Sequence, residues 1–391
     1  MIGRPLWLQK IEDAWSKRAI VWLAGVRRVG KTTLVKMLDT TEVTYRNCDL
    51  PSVHRELEDP EFFLRSLPKG AVVAFDEVHR LNDPSLLLKI AADEFPSLRV
   101  IATGSSTLAA SSKFRDSLTG RKQVVLLTPV LWQECQSDFG IGDLDRRLLH
   151  GGLPEPLLST RKDSDFFAEW LDSVYARDIQ ELFGVRNRTG YLSLIGLLLR
   201  QSGGLLDITK LAQVSRISRP TAYSYLESLQ LSHLIRLVRP MNGGGKREIV
   251  RQPKCYAFDT GFVTYEKGWD VLRSEDRGLL WEHLVIDALY AQFPSENILY
   301  WKDKSNREID FIVRTKRDEH HTVECKIDVD RISVKTLANF RKRYQNGLNF
   351  VVSPRVLRPY RARIEGLEIT FSDGANLVDA SAQSADAEVM R

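Results

Sequence analysis

Cysteine is scarce in this chain: four residues in 391, at Cys48, Cys135, Cys255 and Cys325, with no CxxC pair and no Cys/His cluster. That spacing excludes a disulfide scaffold and argues against structural zinc, and dispersed thiols fit a reducing, cytoplasmic setting. Long apolar runs are missing too. The greasiest stretch, Leu192 to Leu199, falls well short of the roughly 20 residues that span a bilayer, and Arg200 closes it, so it reads as a buried helix. The N-terminal Met-Ile-Gly-Arg-Pro-Leu-Trp lacks the apolar core of a secretory signal, and no membrane partner is expected. Neither sign of charge dominates. Lys and Arg number 56 against 51 Asp and Glu, a net +5, so contact with nucleic acid depends on where the cations sit rather than on their sum.

What is present is alternation. At this length two or three domains are expected. Ala19 to Ala24, Val43 to Arg46, Ala71 to Phe75, Arg99 to Thr103 and Gln123 to Leu127 are short, nearly all-apolar, strand-like runs separated by helical stretches. Strands of that kind are buried on both faces, which implies a parallel sheet and an α/β domain over residues 1–135. Residues 136–200 read as helical. Over 201–265, two short helices (Ile208 to Val214 and Ser218 to Leu229) and a glycine-tipped hairpin make a winged-helix pattern. Residues 266–373 form a further α/β unit. The Ala-, Ser- and Asp-rich 374–391 reads as a disordered tail.

Gly25-Val26-Arg27-Arg28-Val29-Gly30-Lys31-Thr32 is a full GxxxxGK[ST] match between an apolar strand and a helix. Its glycines let backbone N–H groups curl around phosphates. Lys31 reaches the β- and γ-phosphates and Thr32 ligates Mg²⁺. Arg28 and Thr33 complete the nucleotide-binding set. Ala71 to Phe75 then runs into Asp76-Glu77. Acids at the carboxyl end of a central strand sit where ligands bind. Asp76 is expected to hold Mg²⁺ through water, and Glu77 to act as general base.

This order of P-loop, Asp76-Glu77 and Ile101-Ala102-Thr103-Gly104-Ser105-Ser106 resembles the AAA+ branch of P-loop ATPases. More narrowly, it resembles archaeal-ATPase-like proteins with a C-terminal nuclease-like domain of unknown function. The resemblance spans about Leu6 to Val352. It implies ATP and Mg²⁺ as cofactors and a sensor of the γ-phosphate at Ser105, with Thr103 the other candidate. It also implies an arginine finger at Arg121 within Ser117-Leu118-Thr119-Gly120-Arg121, and a homo-oligomer such as a hexameric ring. Gly151-Gly152-Leu153-Pro154 resembles the lid turn that closes over adenine, with Pro154 at the base and 136–200 as the helical lid.

In the last unit Glu282 lies on a helix, Asp310 follows Glu308-Ile309 on a strand, and Glu324-Cys325-Lys326 ends another strand. Alternation puts Glu324 and Lys326 on one face. Three carboxylates and an ammonium around a point can hold Mg²⁺ and orient a water. The pattern resembles the PD-(D/E)xK nuclease fold in its junction-resolvase arrangement, which implies Glu282, Asp310 and Glu324 as metal ligands and Lys326 as the water-orienting group. A fold kept for binding with its chemistry idle fits the same residues.

DNA contact is expected from Arg216 and Arg219 at the start of a reading helix that also carries Tyr223 and Tyr225. Lys246, Arg247 and Arg251 on the hairpin, flanked by Arg239 and Lys254, would touch phosphates, with Arg341, Lys342 and Arg343 as a second cluster. The reading is an ATP-hydrolysing AAA+ motor acting on DNA, branched DNA included, with a nuclease-like C-terminal domain. The alternative is a nucleotide-dependent switch whose C-terminal domain is a docking module.

Overall fold

The computed structural model describes residues 2–38, 43–104, 112–176, 185, 187–241, 252–375 and 377. Five strands, β1 (Ile20–Ala24), β2 (Val43–Asn47), β3 (Val72–Asp76), β4 (Arg99–Thr103) and β5 (Lys122–Leu126), form one sheet in the order β2-β3-β4-β1-β5. Every pairing in it is parallel, as the apolar runs require. β1 and β3 are wholly buried, whereas the edge strand β2 is half-buried along its length. Because side chains alternate across a strand, Ile20, Trp22, Val73 and Phe75 pack on one face. Val21, Leu23, Val72 and Ala74 pack on the other.

That second face does not end with the sheet. The same core runs through Trp170, Tyr191, Phe258 and Trp281 to Tyr300 and Phe350. The C-terminal half is therefore built onto the P-loop domain.

Its strands are β6 (Gly204–Leu205), β7 (Ile235–Pro240), β8 (Lys254–Ala257), β9 (Ile298–Lys302), β10 (Glu308–Lys316), β11 (Glu319–Cys325), β12 (Asn349–Val352), β13 (Tyr360–Ile364) and β14 (Leu367–Ser372). They make one mixed sheet in the order β13-β14-β12-β11-β10-β9-β7-β8-β6. The hairpin expected to stand out as a wing is thus tied in: β7 pairs in parallel with β9, Arg239 opposite Leu299 and Pro240 opposite Tyr300. Helices Ile208–Val214 and Arg219–Leu231 precede it; the Ser218 hydroxyl caps the second by accepting from the Thr221 N–H at 3.2 Å. Helix Arg188–Arg200 holds the apolar run as buried core. The tail expected from residue 374 begins with an anchor. Leu377 is buried and its N–H donates to the Gln292 side chain at 2.9 Å; 378–391 lie outside the described residues. All four cysteines are buried free thiols. Among the described residues no helix is long and apolar enough to cross a membrane.

Candidate nucleotide site

The P-loop leaves β1 at Ala24 and turns back at once. Gly25 (φ +144°) has no room for a side chain, since a Cβ would lie 2.6 Å from the Leu127 carbonyl oxygen. Gly30 (φ +104°) sits in the left-handed region that favours glycine. Lys31 opens helix Lys31–Val35, and its ammonium donates to the carbonyls of Gly25 at 2.8 Å and Val26 at 3.0 Å. Thr32 and Thr33 follow in the first turn.

Two strands away, Asp76 ends β3 and is buried. The Thr103 hydroxyl donates to its Oδ1, and the Tyr45 hydroxyl donates to Oδ2 at 2.7 Å. The same Thr103 hydroxyl accepts from the Glu77 N–H at 3.0 Å, so one threonine at the end of β4 positions both acids. Glu77 has a left-handed backbone (φ +56°), and the His79 imidazole lies 3.2 Å from its Oε2. That hydrogen bond, with help from Lys31 and Arg27, outweighs burial and holds the Glu77 carboxyl below its ordinary range. Glu77 is a carboxylate at neutral pH, as a general base must be. Asp76, with two donated hydroxyls fixing its orientation, and Thr32 offer oxygen atoms only, which suits a hard cation such as Mg²⁺.

Cavities of three sizes border the loop, two of them beside its phosphate-facing residues. One of about 370 Å³ is lined mainly by apolar groups including Val29, Leu34, Met37, Phe139 and Pro154, with Gly30 and Thr33 at its edge. Its apolar lining is of the kind that holds a flat aromatic base, and Pro154 of the Gly-Gly-Leu-Pro turn borders it. The other, about 40 Å³, lies among Lys31, Glu77, Gly104, Trp170, Ser232 and Leu234. The Trp170 indole N–H donates to the Arg27 carbonyl at 3.2 Å, and its ring stacks on Phe258 at 5.0 Å. Arg28 lies over the Phe166 ring and 3.5 Å from Glu155. The Gly151-Gly152-Leu153-Pro154 turn is fixed from behind. Buried Asp259 accepts from the Gly152 N–H at 2.6 Å, and a Cβ on Gly151 would collide with its Oδ1.

Tyr45, His79, Trp170 and Asp259 escaped the sequence reading. Tyr45 meets Asp76 only because β2 pairs with β3, and Trp170 and Asp259 arrive from distant segments. Only His79, two residues beyond the general-base candidate, had a local signal. Ser105 lies outside the described residues, whereas Thr103, the other sensor candidate, touches the Asp76 carboxylate. Arg121 is engaged within its own chain, forked onto Asp93 at 2.6 and 3.0 Å.

The second acidic constellation is also gathered, but differently from expectation. Lys326 reaches Glu324 at 2.7 Å and Asp310 at 3.5 Å. Asp310 accepts from the Cys325 N–H at 2.8 Å, and Glu282 accepts from the Tyr256 hydroxyl at 3.0 Å. Lys254, expected on the wing, is instead buried here and paired with Glu308. Burial, and then the charge of Asp310, push Glu282 and Glu324 up to about 7. Burial works against the Lys254 ammonium, yet Glu282, Glu308 and Asp310 prevail and raise its pKa. Glu324 Oε1 is buried without a hydrogen-bond partner. Even so, no three His, Cys, Asp or Glu side chains among the described residues group so as to hold a metal. Lys326 stands between Glu324 and Asp310, and Lys254, paired with Glu308, offsets part of the remaining negative charge around Glu282.

The DNA candidates divide. Arg216 and Arg219 are at the surface beside exposed Tyr223, with the Arg219 guanidinium 3.4 Å from the Tyr223 hydroxyl. Tyr225 is core, packed on Tyr191. Arg341 is buried and donates to the carbonyls of His320, Tyr344, Asn346 and Leu348, so it is unable to face a phosphate. Both corrections have one cause: helix and strand periodicity decide which face a side chain takes, and charge alone does not reveal it. Lys246, Arg247 and Arg251 lie outside the described residues.

Residues 17–136 match the family described as AAA domain. That stretch holds the P-loop from Gly25 to Thr32 and the acids Asp76 and Glu77. Residues 141–272 and 277–366 match two domains of unknown function, DUF8612 and DUF4143. The chain is 29% identical over 318 residues to uncharacterized protein Rv2008c of Mycobacterium tuberculosis, covering 78% of this chain and 69% of that one. It is 24% identical over 321 residues to uncharacterized protein MJ1544 of Methanocaldococcus jannaschii, covering 74% and 70%. Among solved structures it is similar to the Walker-type ATPase PABY2304 of Pyrococcus abyssi, with a TM-score of 0.42 and 18% identity over 68% of this chain and 96% of that one.

Proposed function

We propose that this chain is a Mg²⁺-dependent ATP hydrolase whose AAA domain drives its C-terminal half, and that this half engages DNA. The carrying observation is that Lys31 and Glu77 line one small cavity at the carboxyl ends of the parallel strands, with Thr103 at the end of β4 orienting both Glu77 and Asp76. Lys31 holds the β- and γ-phosphates, Thr32 and Asp76 hold the cation, and Glu77 takes a proton from the attacking water. Bound Mg²⁺ supplies charge neutralisation of the phosphates. Trp170, Ser232 and Leu234 border the same small cavity, so any change at the γ-phosphate presses on the C-terminal half. Arg121 would serve a neighbouring subunit only after exchanging Asp93 for that subunit's phosphate. Arg216 and Arg219 supply the DNA-facing charge.

Steady-state ATPase with and without single-stranded, duplex and four-way-junction DNA tests this reading. Stimulation by one DNA form is expected, declining as salt rises. Turnover indifferent to every form would favour a nucleotide switch, a reading that the burial of Lys254 and Arg341 supports because it removes two cations from the candidate DNA surface.

The lysine-neutralised acid cluster is proposed as a docking element rather than a cutting site. DNA incubated with Mg²⁺ is expected to stay intact with wild-type protein, as it does with Asp310→Ala and Lys326→Ala. Cleavage by wild type that both variants lose would overturn that assignment.

A further inference from the structure

The cavity between Lys31 and Glu77 has a wall contributed by the far half of the chain. Helix Arg219–Leu231 ends beside it, and Ser232, His233 and Leu234 turn the corner into β7. His233 takes a left-handed backbone (φ +59°) to make that corner and lines the larger cavity that adjoins Gly25 and Val26. Ser232 and Leu234 line the smaller one, opposite Lys31 and Glu77. The Ser232 N–H is satisfied by the Ser228 carbonyl at 2.9 Å. Its hydroxyl is not. Ser232 is 6% exposed and its Oγ is buried without a hydrogen-bond partner.

An unsatisfied buried hydroxyl costs roughly the desolvation of one polar group, so alanine would be the more stable choice if the position were merely structural. The cavity it borders is also small. At about 40 Å³ it has space for only about three waters, at roughly 10–15 Å³ each. Its cationic wall is Lys31 with Arg27. A tetrahedral, anionic group with acceptor oxygens fits that combination.

We propose that Ser232 is a γ-phosphate-reading residue: its hydroxyl donates to a γ-phosphate oxygen of ATP and finds no such acceptor with ADP. This deepens the ATP reading above and rests on it. The consequence is mechanical. Ser232 lies between helix Arg219–Leu231 and β7, and β7 is hydrogen-bonded through β9 into the C-terminal sheet. Gain or loss of the γ-phosphate therefore pulls on or releases the corner that carries the exposed Arg219 helix. Nothing local in the sequence marks Ser232, one serine at an ordinary helix end.

Isothermal titration with ADP and with a non-hydrolysable ATP analogue, both with Mg²⁺, tests it on the full chain. Ser232→Ala is expected to bind the analogue about tenfold more weakly than wild type, the loss of one hydrogen bond to a charged group, while ADP affinity is unchanged. Ser232→Thr, which keeps the hydroxyl, should restore the preference. Without nucleotide, the thermal midpoint of Ser232→Ala should equal or exceed that of wild type, which separates ligand reading from a packing role. Equal affinity of Ser232→Ala and wild type for the analogue, while Lys31→Ala loses both ligands, would overturn the role of Ser232 and leave the nucleotide site intact. Wild-type affinity for both ligands in Lys31→Ala would instead remove the site reading itself.

Discussion

Glu77→Gln is expected to keep ATP bound and to lose turnover by about 100- to 10,000-fold, the range that a positioned general base supplies. The substitution preserves shape, so the Glu77 N–H remains held by the Thr103 hydroxyl and the P-loop is untouched. What disappears is the proton acceptor, which hydrogen bonding from His79 keeps ionised. Lys31→Ala is the contrasting case. Its ammonium is the one group of the loop that ties the carbonyls of Gly25 and Val26 and can follow the phosphates, so nucleotide binding itself should be lost. Nucleotide titration beside steady-state ATPase separates the two. Unimpaired turnover in Glu77→Gln would exclude Glu77 as the base and direct attention to Asp76.

The largest effect on stability is expected far from the nucleotide. Asp287, on helix Ser274–Gln292, is 2% exposed. Its carboxylate is paired with Arg236 of β7 and lies 3.6 Å from the Arg147 guanidinium. Arg147 is fully buried and also donates to the Val130 carbonyl at 2.9 Å, just after β5. The three side chains thus join the AAA domain, the helix that leads into the lid turn and the C-terminal sheet. Burial drives the Asp287 carboxyl toward its neutral form, and the two guanidinium groups oppose that shift. Asp287→Ala would leave the buried Arg236 and Arg147 guanidinium groups without the carboxylate that pairs them, a loss of about 3–5 kcal/mol. Urea denaturation should register it. A cost below about 1 kcal/mol, the level of a surface pair, would mean that solvent reaches this junction.

Local chemistry was enough for the nucleotide site and for the first sheet. The GxxxxGKT run works through its own backbone and its own lysine. Strands buried on both faces announce themselves by unbroken apolar composition, as Ile20–Ala24 and Val72–Asp76 do. The helix pair at 208–231 was legible from its spacing and caps. Asp310 and Glu324 were legible as neighbours on adjacent strands, whereas Glu282 comes in from helix Ser274–Gln292.

Tertiary structure decided the rest, for one physical reason: a side chain's partner is set by which elements pack together, and the sequence near it does not carry that information. Lys254 and Arg341 look like surface cations in sequence, yet each is buried against acceptors from other strands. Tyr45 reaches Asp76 only through the pairing of β2 with β3. The hairpin after the helix pair was expected to stand alone, and its pairing with β9 merges it into a larger sheet. Ser232 comes to the cavity beside Lys31 and Glu77 because one apolar core runs from the P-loop sheet into the C-terminal half. The sequence determined where the P-loop lies; the packing decided which distant residues, Trp170, Ser232 and Leu234, border the cavity beside it.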